Sequence, residues 1–164
     1  MRIDPGSEQG AIGKIRLVCV ALALGLVGFT VVALVLGPKA TPGGGGGGLV
    51  SASLMMASFV AGVSALVVPV ALRKTIVAAT VKRIDAGMPE EELVETVHQG
   101  YATQTLLRAA MGEGLGLIGG LGIWVTAEPA WAAVPAVGVV LIGLALPTRA
   151  KLEAFEREVL DAMG

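Results

Sequence analysis

From Ile15 to Leu36 the chain carries a single charged residue, Arg16, close to the start of the run. About 20 apolar residues in succession match the ~30 Å hydrocarbon core of a bilayer at helical rise. A helix apolar on every side has no face to offer water, so it belongs in a protein interior or in lipid. Three more such runs follow, Leu49–Leu72, Tyr101–Val125 and Ala130–Leu146. In hydrocarbon each backbone N–H and C=O must be satisfied within its own segment, which favours helices. The expected fold is therefore an all-α integral membrane protein of four transmembrane helices, over 15–36, 49–72, 101–125 and 130–146. Composition agrees, with 54% hydrophobic and 15% charged residues, against about 25% charged in soluble domains. The 164 residues leave little beyond the spans and their connections, so 1–164 reads as one membrane domain.

The first run also invites comparison with a signal peptide, because Arg2, Lys14 and Arg16 precede it. Such a peptide has an apolar core of about 7–15 residues ending in small residues. Here the run is longer, and Gly37, Pro38 and Lys39 follow, so a retained span is expected, preceded by a loose tail of eleven residues. Residues 37–48 include six consecutive glycines and read as a flexible linker. A phosphate loop would need G-K-[ST] after its glycines, and Leu49 and Val50 stand there instead.

The second span carries small residues at four-residue spacing, Ser58 with Gly62 and Ala61 with Ala65, and has Pro69 near its end. Residues 73–100 then read as a charged helix-turn-helix stalk. Gly87 suits the position after a helix end, Pro89 a first helical position, and Glu90, Glu91 and Glu92 the first turn. Trp124 and Trp131 flank the turn at Thr126–Pro129, where an interfacial aromatic belt is expected. Pro129 suits the start of the fourth span, and Pro135 is expected to distort its first turns. The tail, 148–163, is an amphipathic helix, with Leu152, Phe155, Val159, Leu160 and Met163 on one face and Thr148 as its cap. It has two possible beds, the membrane surface and the stalk.

Charge sets the expected orientation. With two hairpins and both termini in the cytoplasm, that side holds Arg2, Lys14, Arg16, Arg73, Lys74, Lys82, Arg83, Arg149, Lys151 and Arg157. Arg108 lies near the same face with a stem long enough to snorkel, and only Lys39 is left outside. Such a bias follows the positive-inside rule and places the protein in the cell membrane. The net charge of −1 offers nothing to nucleic acid. One cysteine, Cys19, excludes an intrachain disulfide and reads as a small buried hydrophobe. The one histidine, His98, reads as a solvated side chain in the stalk, with no second ligand at metal spacing. No nucleophile and base stand together. Neither an enzyme nor a cofactor is expected; the expected partners are the lipid bilayer and a second copy or other membrane subunits.

The third span concentrates what remains. Gly112, Gly116 and Gly120 recur at four-residue spacing with Gly119 beside them, a pattern that lets helices approach closely in lipid. The partner is either another span of this chain or another copy. Gly114, Gly116 and Gly119 also spell G-x-G-x-x-G, but a dinucleotide site needs a preceding strand and a turn open to water. Among these glycines stands Glu113. A charged group at the centre of a span costs on the order of 2.5–3.5 kcal/mol. Glu113 therefore either bonds a neighbouring helix, such as a serine of the second span, or binds an ion or proton. Arg108 is an imperfect partner, about 140° away around the helix.

The stretch 111–125, M-G-E-G-L-G-L-I-G-G-L-G-I-W-V, resembles the carboxylate helix of ATP synthase subunit c and related proteolipids, with Glu113, Leu115, Leu117 and Gly119 in the matching places. That resemblance implies that Glu113 carries a translocated proton or sodium ion. The pattern Y-x-T-x-x-L-x-R-x-A-x-x-E-G from Tyr101 to Gly114, with Pro147 and Thr148 closing the following span, is similar to small bacterial four-helix membrane proteins of no assigned activity. Function is thus expected to be structural or accessory, with assembly through the glycine-rich third helix; the alternative is ion binding at Glu113.

Overall fold

The computed structural model describes residues 5–37, 48–84 and 87–164. Residues 38–47 of the glycine linker, with Lys39, and Arg2 at the start lie outside the described residues. The described chain is helical throughout, with no strand: α1 (Pro5–Leu36), α2 (Gly48–Val81), α3 (Glu90–Thr126), a 3-10 turn (Pro129–Ala132), α4 (Ala133–Ala145) and α5 (Arg149–Met163). By length and composition α1, α2 and α3 each suffice to cross a membrane, and α4 qualifies only when joined to α5, which is bent from it by 65°.

The bundle is organised by α3. Helices α1, α2 and α4 all pack against it, and α1 also meets α4, whereas α1 and α2 scarcely touch each other. The expected first hairpin is thus not a packed hairpin; its two arms lie along a shared neighbour. Leu26 and Phe29 of α1 meet Gly116 and Gly120 in the same order, so α1 runs parallel to α3. Thr80 and Gly62 of α2 meet Gly100 and Leu115, and Pro135 and Ile142 of α4 meet Gly119 and Gly112, so both run antiparallel to it. Burial reflects this: 44% of the apolar window of α3 is buried, against 17% in α1 and 11% in α2. The outer sides of α1 and α2, including Leu17, Leu24, Val35, Met56, Phe59 and Leu66, are apolar and exposed.

Several boundaries differ from expectation. Helix α1 begins at Pro5, so residues 5–11 of the segment read as a loose tail are the first turns of the helix, with proline at the tolerated first position. The stalk is not separate from the spans. At 34 and 37 residues, α2 and α3 are roughly 51 and 55 Å long, and their charged ends overhang a ~30 Å core together. Helix α2 passes through the buried Pro69 and stops at Val81, where Arg83 and Ile84 bond back to Thr80 and Val81 in i→i+3 fashion. Gly87 therefore lies beyond the helix end instead of capping it. Pro89 flanks α3 as its N-cap residue, with Glu90, Glu91 and Glu92 in the first turn.

The fourth span is shorter than expected as an α-helix. Pro129–Ala132 wind as a 3-10 turn, leaving the 13 residues Ala133–Ala145 in α4. The two together reach roughly 28 Å because 3-10 rise is longer per residue. Trp131 does not flank the bundle as an interfacial anchor: it is buried against Gly122, while Trp124 is exposed. Cys19 is a free, fully buried side chain.

Helix α5 lies on the stalk. Thr148 caps it, its Oγ1 accepting from the Lys151 N–H at 3.4 Å. Leu152, Phe155 and Val159 are each 1% exposed, while Leu160 and Met163 border an apolar cavity of about 170 Å³ between α5, Ile84 and the start of α3. The Phe155 ring lies 6.0 Å from that of Tyr101. Arg73 Nε donates to Glu158 at 2.8 Å, and Lys151 Nζ donates to the Leu144 and Leu146 carbonyls at the end of α4. His98 is not the solvated side chain expected: it is 12% exposed, with Nε2 3.8 Å from a Glu156 oxygen.

Candidate functional site

The glycines of α3 form a seam inside the chain. A four-residue step turns about 40° around a helix, so the stripe rotates from one neighbour to the next as it climbs. Gly112 abuts the backbone of Gly138 and Ile142 in α4, whereas Gly116 meets Leu26 and Gly120 meets Phe29, both of α1. Gly119 returns to α4 at Val134 and Pro135, and Gly122 receives the face of Trp131. Gly112, Gly116, Gly119 and Gly120 thus each lie against another helix of this chain.

Two partners in this seam went unread in the sequence. A Cβ on Gly138 would stand 2.6 Å from the Gly112 carbonyl oxygen and 3.1 Å from the Gly116 backbone. This is a backbone-on-backbone crossing that no side-chain movement can relieve. The signal was present: Gly138 is the one glycine among the bulky residues Val134–Ile142. Gly122, three residues beyond Gly119, continues the seam toward the turn. There α3 ends on Ala127 in the left-handed conformation (φ 57°), its N–H donating to the Ile123 carbonyl.

Below the seam, α3 carries buried polar residues that hydropathy alone did not reveal. Gln104 and Thr105 are 5% and 4% exposed, as is Thr80 of α2 at 4%. Thr80 spends its hydroxyl on the Ile76 carbonyl at 2.9 Å and, with Phe155, fills the space beside Gly100. Gly100 is therefore where α2, α3 and α5 converge.

Glu113 is half-buried. Among the described residues it has no hydrogen bond or ion pair, with Arg108 or with a serine of α2. Ser58 Oγ is itself buried with no hydrogen-bond partner. The wheel explains the mismatch: α2 meets α3 at Leu115, through Gly62, about 160° from Glu113. Glu113 shares its stripe with Gly120, on the α1 flank. Among the described residues no three of His, Cys, Asp and Glu cluster as a metal site.

The arrangement defines a class, an all-helical protein with three to four helices able to span a membrane and a glycine seam at its centre. No known protein family, curated protein or solved structure matches the chain.

Proposed function

We propose that the protein is a non-enzymatic structural or accessory component of the cell membrane, with four spans and both termini cytoplasmic. The observation that carries this reading is the seam of α3, which meets the backbone of α4, seats the Leu26 and Phe29 side chains of α1, and leaves the outer sides of α1 and α2 to lipid. The fourth span is the 3-10 turn with α4. The orientation rests on charge: apart from Arg108, at the midpoint of α3, the lysines and arginines among the described residues, from Lys14 to Arg157, lie toward the end of the bundle that bears the stalk. Fluorescent-protein and alkaline-phosphatase fusions at the C-terminus test it. Fluorescence without phosphatase activity is expected, and an active phosphatase would reverse the topology.

A second reading follows from Glu113, a half-buried carboxyl in mid-span with no partner among the described residues. It supports ion or proton binding, as the proteolipid resemblance implies. Dicyclohexylcarbodiimide should then label Glu113, with loss of labelling in Glu113→Gln and protection by the bound cation. Absence of labelling in folded protein would remove this reading and leave the first intact.

A further inference from the structure

Cations from four helices gather at one height. Ten residues below the contact of Leu26 with Gly116, Arg16 of α1 is level with Leu106 of α3. Seven residues from the contact of Thr80 with Gly100, Arg73 of α2 is level with Leu107. Four residues from the contact of Ile142 with Gly112, Leu146 at the end of α4 is level with Arg108. The three levels differ by about 3 Å along α3. Lys151 joins them, its Nζ donating to the Leu144 and Leu146 carbonyls, and Lys14 and Lys74 adjoin Arg16 and Arg73. The apolar lengths of α1, α2 and α4 all end at this tier, so it marks one edge of the hydrocarbon layer.

Carboxylates answer only part of this charge. Glu158 takes Arg73 at 2.8 Å, and Glu153 takes Arg149 at 3.1 Å. Lys14, Arg16 and Lys74 are exposed and Arg108 is half-buried, and none of the four has a hydrogen bond or ion pair with a described residue. Arg108 stands about 20° round α3 from Leu115, which packs at Gly62 of α2, and about 40° from Gly112, which abuts α4. It therefore faces the notch between α2 and α4, which scarcely touch each other. Helix α5, bent 65° from α4 and tied to α2 through Arg73 and Glu158, closes the stalk side of that notch. A half-buried guanidinium calls for an anion within reach, and the side left open is the one where lipid headgroups lie.

We propose that this tier binds the phosphate groups of anionic phospholipids, with one headgroup held in the notch by Arg108, Lys151 and Arg73. The proposal rests on the reading of the protein as a membrane component, and does not depend on its orientation. Charge and height together select the occupant. Lipid phosphates lie just outside the hydrocarbon edge, where these cations stand, and basic pockets between spans suit such headgroups. A guanidinium presents a donor fork that matches two phosphate oxygens. A soluble anion offers the same charge but has no acyl chains to keep it at this height.

The test uses the full chain in phosphatidylcholine vesicles, with a fluorophore on Leu144→Cys, an exposed position at the notch, in a Cys19→Ala background. Spin-labelled phosphatidylglycerol or spin-labelled phosphatidylcholine is added in steps as quencher. The anionic lipid should quench at a mole fraction about fivefold lower than the zwitterionic one. Arg108→Gln should lose at least half of that preference, and Arg108→Lys, which keeps the charge, should retain most of it. Lys151→Gln should also lower it, and decides the matter if the Arg108→Gln variant does not fold. Lys82→Gln, exposed in the stalk about 15 Å beyond the tier, should change nothing. Equal quenching by the two lipids, or a preference that survives both notch variants, would overturn the proposal. So would a preference abolished when sodium phosphate replaces chloride at equal ionic strength, because the site would then take a soluble anion. A chain that enters membranes without lipid preference overturns this inference alone. A chain absent from the membrane fraction overturns the reading on which it rests.

Discussion

At the scale of single residues, the glycines of α3 and α4 differ sharply in what surrounds them, and this sets their tolerance of substitution. Gly138→Ala would press a methyl group into the backbone of Gly112 and Gly116. It should destabilise the bundle by about 1–3 kcal/mol, as overpacking against atoms that cannot move aside does. Gly25→Ala, on an open side of α1, should not lower stability, because alanine is the better helix former. Thermal denaturation of the two variants in one detergent checks the contrast; equal losses would contradict the seam. At Ala127 the sign reverses. Its left-handed backbone costs a residue with a Cβ roughly 1 kcal/mol or more, so Ala127→Gly should raise stability by about that amount in the same assay. The four-residue spacing on α3 was legible as packing. Which glycine met which helix was not, because the stripe's rotation matters only once α1 and α4 have taken their places.

At the scale of elements, α5 had two possible beds, and the stalk provides the one it occupies. Its docking rests on apolar contact more than on charge. Phe155→Ala removes a ring packed against Tyr101 and Gly100 and should weaken docking by about 3–5 kcal/mol. Arg73→Ala removes an ion pair whose partners are 38% and 42% exposed and should cost less than about 1 kcal/mol. Hydrogen exchange along α5 separates them: fast exchange is expected in the phenylalanine variant and near-native protection in the arginine variant. The amphipathic pattern and the Thr148 cap were readable in advance, since both depend on neighbours within one helix. His98 was misread because its burial is created by α5, which lies more than fifty residues away along the chain.

At the scale of the molecule, apolar length and cation placement settled much before any tertiary contact formed. Helices in lipid must satisfy their own backbone, so runs of this length and polarity dictate helical segments that can cross a membrane, wherever they then pack. The overhang of α2 and α3 likewise follows from length against bilayer thickness. Adjacency is different, because in lipid apolar surface does not discriminate between neighbours and close packing does. The sequence order suggests that α1 pairs with α2, yet the α3 seam draws α1 and α4 to itself and leaves α1 and α2 apart. If this is right, Gly116→Leu, which crowds Leu26 of α1, should loosen α1 while α2 keeps its contacts. Crosslinks from α1 to α3 should fall and those from α2 to α3 persist; parallel loss of both would argue against a shared hub. The sequence by itself thus determined that the chain is helical, suited to lipid and asymmetric in charge, because those properties belong to each segment alone. Only the tertiary structure decided that α3 is the centre, that its glycines are occupied within the chain, and that Glu113 has no described partner there, because each depends on how segments distant in sequence rotate against one another.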